Sequence, residues 1–179
     1  VVQTITGNGK RLKKMWEGMG VKIVKGDAHF VDKHTVRVGS KQFTAKAFVI
    51  ATGASDFVPP IDGIESIDYL DYRKTTQLKR QPKFMVIIGA GPVGCEFGTF
   101  FSLLGTQVTM IQLAPHILHR EDEEVSVVIE QAMKEQGVKI LTQAKALAVK
   151  KVSGGTQVTY QVKMGRRKTI KVDKVLLAA

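Results

Sequence analysis

The chain has 179 residues, 44% of them hydrophobic and 24% charged, a balance expected of a soluble globular protein with one ordinary domain or two small ones. No apolar run approaches the ~20 residues needed to span a bilayer, and no charged start followed by an apolar core marks a secretory leader. One cysteine excludes an internal disulfide, so a cytoplasmic, reducing setting is expected, and the net charge of +11 asks for an explanation.

Leu12, Met15, Trp16 and Met19 recur at helical spacing. They predict a helix over residues 9–19 with Trp16 packed on its apolar face. Val21–Val24 alternates apolar and basic residues and reads as a strand. Gly26-Asp27-Ala28 is a turn into a further strand, and 35–38 with 42–44 reads as a hairpin around Gly39-Ser40. Ala47–Ala51 is fully apolar and reads as a strand running into the turn Thr52-Gly53-Ala54. Pro59-Pro60 and Asp62-Gly63 mark a turn-rich crossing. Residues 66–82 read as a polar connection with one short helix. The composition then turns from basic and polar to apolar, so a domain boundary is expected near 75–82, dividing residues 1–80 from 81–179.

Met85–Ile88 is a continuous apolar run, the pattern of a strand buried on both faces. The glycine pattern G-x-G-x-x-G follows at Gly89, Gly91 and Gly94. A helix is expected from Cys95 to Leu104, and a second strand from Thr106 to Gln112. Strand, glycine turn, helix and strand in this order are the context of a dinucleotide-binding turn. Gly89 permits the tight exit from the strand. Gly91 lets a pyrophosphate approach the backbone. Gly94 lets helix and strand pack closely. The phosphates then face the unpaired N–H groups at the positive end of the helix. Pro92 suits the first helical turn, where its missing N–H costs nothing.

Beyond Gln112, Glu121-Asp122-Glu123-Glu124 opens a helix to about residue 136. Its buried face is expected to be Val125, Val128, Ile129, Ala132 and Met133. Residues 138–141 read as a third parallel strand. Residues 144–152, 156–163 and 168–172 read as an antiparallel meander, and 175–179 as a last apolar strand. The basic runs Lys10-Arg11-Leu12-Lys13-Lys14 and Arg166-Arg167-Lys168 carry no nucleic-acid motif and few aromatics. They read as solvated faces, whose field attracts a polyphosphate cofactor, and nucleic acid is not expected as a partner. The four histidines show no metal spacing, so no metal is assigned. Cys95 reads as a buried structural thiol.

Four stretches, in order, resemble the pyridine nucleotide-disulfide oxidoreductases, and most of all dihydrolipoamide dehydrogenase and mercuric reductase. They are Gly26-Asp27-Ala28 with His34-Thr35-Val36-Arg37-Val38; Phe48-Val49-Ile50-Ala51-Thr52-Gly53-Ala54 with Pro59-Pro60-Ile61-Asp62-Gly63-Ile64; the glycine turn continued into Gly94-Cys95-Glu96-Phe97-Gly98; and Val175-Leu176-Leu177-Ala178-Ala179. The resemblance implies an α/β fold: a Rossmann-like nicotinamide-dinucleotide domain with a parallel sheet and an antiparallel meander, preceded by part of a flavin domain. It also implies that the chain is an internal fragment, inactive alone, of an FAD-dependent NAD(P)H oxidoreductase. The parent would be a homodimer outside the membrane that passes hydride between NAD(P)H and FAD and on to a disulfide.

The resemblance assigns roles residue by residue. Gly89, Ala90, Gly91, Pro92, Val93 and Gly94 match the pyrophosphate loop of the nicotinamide dinucleotide. Glu96 matches a catalytic glutamate beside nicotinamide and flavin. Ala28, Thr52 and Gly53 match backbone contacts to FAD. Gln112 stands where a carboxylate usually bonds the adenosine ribose. A carboxamide there bonds either ribose, so NAD and NADP both stay open. A mercuric reductase-, NADH oxidase- or transhydrogenase-like flavoprotein, or a noncatalytic dinucleotide-binding module, stands as the alternative.

Overall fold

The structure, a computed structural model, describes residues 2–53 and 55–179, with side chains described from Gly9 onward. Ala54, the end of the expected Thr52-Gly53-Ala54 turn, lies outside the described residues. The chain divides into two compact units, Val1–Ser55 and Asp56–Ala179. This division falls earlier than the one expected near 75–82, and the reason is packing. Ile61 and Ile64 are buried in the core of the second unit, and Leu70 is bonded to its sheet. The polar composition of 56–80 hid these few apolar anchors.

The first unit holds helix α1 (Val2–Gly18) and an antiparallel sheet of β1 (Ala28–Asp32), β2 (Thr35–Val38) and β3 (Lys41–Thr44). The hairpin turns at Gly39-Ser40, with Val38 opposite Lys41. Two expected strands are absent: residues 21–24 and 47–51 have no ladder partners. Most of their apolar residues are exposed, Val49 at 92% and Ile50 at 72%, with Ile23 and Phe48 half-buried, so a strand pattern finds no sheet to join here. Trp16 is likewise 46% exposed rather than packed. None of the described residues 9–53 is buried.

The second unit is built on a parallel sheet in the order β10-β4-β5-β6, from β4 (Phe84–Ile88), β5 (Gln107–Ile111), β6 (Lys139–Leu141) and β10 (Lys174–Leu177). Alternation along β4 makes two cores. Met85 and Ile87 face α3 (Pro92–Leu103) and α4 (Glu123–Glu135), packing with Cys95, Phe101, Met110 and Met133. Val86 and Ile88 face the antiparallel meander of β7 (Ala144–Val152), β8 (Gly155–Val162) and β9 (Arg167–Val172), packing with Ala146, Val149, Val158, Tyr160 and Val172. Successive side chains on opposite faces explain why the run has no polar position. The basic Arg166-Arg167-Lys168 run is exposed at the β8–β9 hairpin.

Helix α4 buries a face that overlaps the expected one only at Ile129 and Met133. Ser126 and Met133 are fully covered and Ile129 is half-buried, whereas Val125 and Val128 are 47% and 66% exposed. Positions 126, 129, 130 and 133 share one helical stripe, and a serine there misled a reading based on hydrophobicity. A short helix α2 (Tyr72–Thr75), capped by the Asp71 carboxylate on the Lys74 N–H at 2.6 Å, and a 3-10 turn at Ile64–Ser66 complete the unit.

Candidate functional site

The glycine turn lies at the carboxyl end of β4, the central strand that has β5 on one side and β10 on the other. Counted within the unit and from β6, the strands run third, second, first, last, so the order reverses at β4. In open α/β sheets the crevice outside such a reversal is where ligands bind.

Each glycine is required for a different reason. Gly89 has φ 102°, and a side chain there would strike the Ala178 carbonyl just beyond β10. Gly94 lies on the first turn of α3, where a Cβ would strike the Gly89 carbonyl. Both are closed by the protein itself. Gly91 is the opposite case: its backbone is extended, φ −74° and ψ −173°, and a Cβ would meet nothing within 4 Å. The fold does not need glycine at 91, so the open space beside it is available to a ligand.

Gly91 caps α3, Pro92 occupies the first helical position, and the Cys95 N–H makes the first helical bond, to the Gly91 carbonyl at 3.0 Å. The N–H groups of Val93 and Gly94 in the first turn therefore have no intrahelical acceptor. They supply donors at the positive end of the helix dipole, beside the space at Gly91. Ala90 is buried and its backbone is held at both ends. Its N–H donates to Gln112 Oε1 at 3.3 Å, and its carbonyl accepts from the Leu118 N–H at 2.8 Å.

The structure thus brings Gly89, Ala90, Gly91, Pro92, Val93, Gly94, Glu96 and Gln112 together around one helix end. Glu96 is exposed on α3, next to the buried Cys95. The Cys95 thiol is pushed up to about 11, first by burial and then by the negative charges of Glu96 and Glu130. A thiol held protonated is a poor nucleophile, as the structural reading required. Ala28, Thr52 and Gly53 belong to the first unit. Ala28 opens β1 opposite Val38, and Thr52 and Gly53 lie in an exposed stretch, Gly53 at φ 77° with open space where a side chain would stand.

Two residues of this site escaped the sequence. Ser126 is fully buried and its hydroxyl donates to the Ile117 carbonyl at 2.6 Å, fastening the loop after β5 to α4. Leu118 sits in the left-handed region at φ 48°, which presents its N–H to Ala90. A polar residue on the apolar stripe of α4 was the one available signal for the first, and none existed for the second. No group of three or more histidine, cysteine, aspartate or glutamate side chains converges among the described residues. No described helix is long and apolar enough to cross a membrane.

The model of the pyridine nucleotide-disulphide oxidoreductase family matches residues 4–179. Among curated relatives, a mercuric reductase of Bacillus cereus is 36% identical over 159 residues, covering 89% of this chain and 25% of the relative. A dihydrolipoyl dehydrogenase of Geobacillus stearothermophilus is 36% identical over 181 residues, covering 99% of this chain and 37% of the relative. Among solved structures, the HOCl-induced flavoprotein disulfide reductase RclA of Escherichia coli superposes with a TM-score of 0.81 at 28% identity, over 96% of this chain and 40% of its own. The chain spans about a quarter to two fifths of the length of these proteins. With this match over nearly all of its length, the chain belongs to the pyridine nucleotide-disulfide oxidoreductase family.

Proposed function

We propose that this chain binds the nicotinamide dinucleotide of an FAD-dependent NAD(P)H oxidoreductase, dihydrolipoamide dehydrogenase-like or mercuric reductase-like, whose acceptor is a disulfide or a related group. The observation that carries the reading is the open space at Gly91, set between two glycines that the fold itself requires. On this reading the second unit, Asp56–Ala179, holds the Rossmann-type dinucleotide domain, and the first, Val1–Ser55, belongs to a flavin domain. The residues fit the dinucleotide. Gly91 leaves room for a pyrophosphate, and Val93 and Gly94 offer the N–H groups to hold it.

The bound cofactors supply the hydride chemistry, and the polypeptide supplies position, orientation and field. The helix end fixes the phosphates and so sets where the rest of the dinucleotide lies. Glu96, one turn into the same helix, is the carboxylate proposed to orient the nicotinamide end. Ala28, Thr52 and Gly53 are the backbone positions proposed to meet FAD, and the space at Gly53 is compatible with a close approach. A homodimeric parent and a cytoplasmic setting belong to the same reading, the latter resting on one buried thiol and no second cysteine.

Titration of the chain with NADH, followed by fluorescence, tests this function. Gly91→Val is expected to abolish binding by filling the open space while the unit stays folded. Affinity unchanged by this substitution would refute the site.

A further inference from the structure

Gln112 occupies the strand-end position from which a dinucleotide site reads the adenosine ribose, yet its side chain is turned inward. The residue is 6% exposed. Its Oε1 accepts the Ala90 N–H at 3.3 Å. The amide nitrogen therefore faces the opposite way, reaching the His116 carbonyl at 3.4 Å and His119 Nδ1 at 3.3 Å. An amide nitrogen can only donate, so His119 accepts through Nδ1 and carries its proton on Nε2. The carboxamide is a bridge between the pyrophosphate turn and the loop after β5.

That loop is itself anchored. Ser126 holds the Ile117 carbonyl, and the His116 ring nitrogen Nδ1 lies 3.0 Å from the same oxygen. The next residue, Leu118, adopts φ 48°, a conformation unfavourable for a residue with a side chain, and its N–H meets the Ala90 carbonyl. Both polar groups of the Ala90 backbone are thus fixed by the same loop, one directly and one through Gln112.

We propose that Gln112 is a positioning residue that sets the Ala90 peptide in the pyrophosphate turn and does not bind the ribose. The proposal rests on the dinucleotide reading above. It carries a consequence for cofactor choice. A carboxylate at this position bonds the ribose 2′-hydroxyl and repels a 2′-phosphate. An inward-turned carboxamide does neither. The site therefore takes NADH and NADPH alike, with affinities within about tenfold of each other, the span of a single hydrogen bond.

Four ligands separate the two roles: NADH and NADPH by direct titration, and ADP and 2′-deoxy-ADP by competition against NADH. A ribose ligand contributes to ADP and not to 2′-deoxy-ADP. A residue that shapes the pyrophosphate turn contributes equally to both. Gln112→Leu is expected to weaken all four by a common factor of about ten, one buried hydrogen bond's worth. Gln112→Asn keeps the polarity and the fold but falls one methylene short of Ala90, and is expected to act in the same direction on all four. His119→Ala, at an exposed position, removes the outer bond and is expected to give a smaller uniform loss.

An ADP to 2′-deoxy-ADP ratio that changes more than about threefold in either Gln112 variant would overturn the positioning role, as would four unchanged affinities. A wild-type preference between NADH and NADPH beyond about tenfold would overturn the consequence for cofactor choice. Failure of the wild-type chain to bind any of the four ligands would instead bring down the dinucleotide reading and this proposal with it.

Discussion

Gly89 and Gly91 belong to the same turn but respond to a methyl group in opposite ways, and Gly89→Ala measures the first response. The backbone at Gly89 has φ 102°, and the new Cβ would stand 2.8 Å from the Ala179 amide nitrogen and nearer still to the Ala178 carbonyl. The conformation costs about 1–3 kcal/mol for a residue with a side chain. Pushing the neighbouring backbone aside costs a further ~1–3 kcal/mol, as overpacking does elsewhere. A loss of about 2–6 kcal/mol follows. With a urea slope of about 2 kcal/mol per molar, the midpoint falls by about 1–3 M. All three tyrosines, Tyr69, Tyr72 and Tyr160, lie in the second unit, and the one tryptophan, Trp16, lies in the first. Tyrosine signals therefore report this unfolding separately from the first unit. Gly91→Ala, with open space around the new methyl, is expected to keep the midpoint within about 0.3 M while weakening NADH binding at least about tenfold. A Gly89→Ala midpoint equal to wild type, or a Gly91→Ala variant destabilised as much as Gly89→Ala, would refute this division between fold and ligand.

The remaining predictions concern the frame around the turn. Met133→Ala empties a side chain that is 1% exposed between α4 and the sheet and should cost about 2–5 kcal/mol in chemical denaturation. Asp173→Ala removes an acceptor for two backbone N–H groups, those of Lys83 at 2.7 Å and Phe84 at 3.0 Å, and should cost about 1–3 kcal/mol while sparing the glycine turn. The Cys95 thiol, held above its ordinary 9.0 at about 11, keeps a proton that the unfolded chain releases. Its contribution to stability is present below about pH 9 and is lost as the pH climbs through about 11, and native-state alkylation at pH 8 should be far slower than in urea. Asp68 is lowered from its usual carboxylate value, first by its hydrogen bond from Lys74, with Lys174 adding attraction. Its contribution is present above the unfolded value and fades as the pH falls. At 73% side-chain exposure, Asp68→Asn should change stability by less than about 1 kcal/mol at moderate salt.

The parallel sheet was legible in the sequence because its central strand is covered on both sides, which forbids polar residues from Met85 to Ile88. The glycine turn was legible because backbone conformation and close approach leave no other residue at Gly89 and Gly94. The hairpins were legible from their glycines. In the first unit the helix and the hairpin were legible but the strands expected at 21–24 and 47–51 were not, because such apolar runs announce burial without saying what covers them, and the structure leaves Val49 and Ile50 exposed. The register of α4 was also hidden: Ser126 is buried because its hydroxyl has a carbonyl to bond, a fact of tertiary geometry. Gln112 shows the same limit at the site. Its position suggested a ribose contact, whereas the direction of its carboxamide depends on Ala90 and His119, which only the folded loop brings to it.

The place of β10 in the sheet has a consequence during synthesis. β4 gains β5 as a neighbour as soon as Ile111 has left the ribosome, but its other side waits for Lys174–Leu177. At about 5–20 residues per second that interval lasts several seconds. Throughout it the most apolar strand of the unit presents a row of unpaired backbone groups, the kind of edge that recruits strands from other chains. Once β10 docks, Leu70 bonds to its outer side, from its N–H to the Val175 carbonyl and from its carbonyl to the Leu177 N–H, each at 2.8 Å. A segment made before β4 thus helps to close the edge exposed after β10 docks, and nascent chains stalled between residues 111 and 174 should be the species that aggregates.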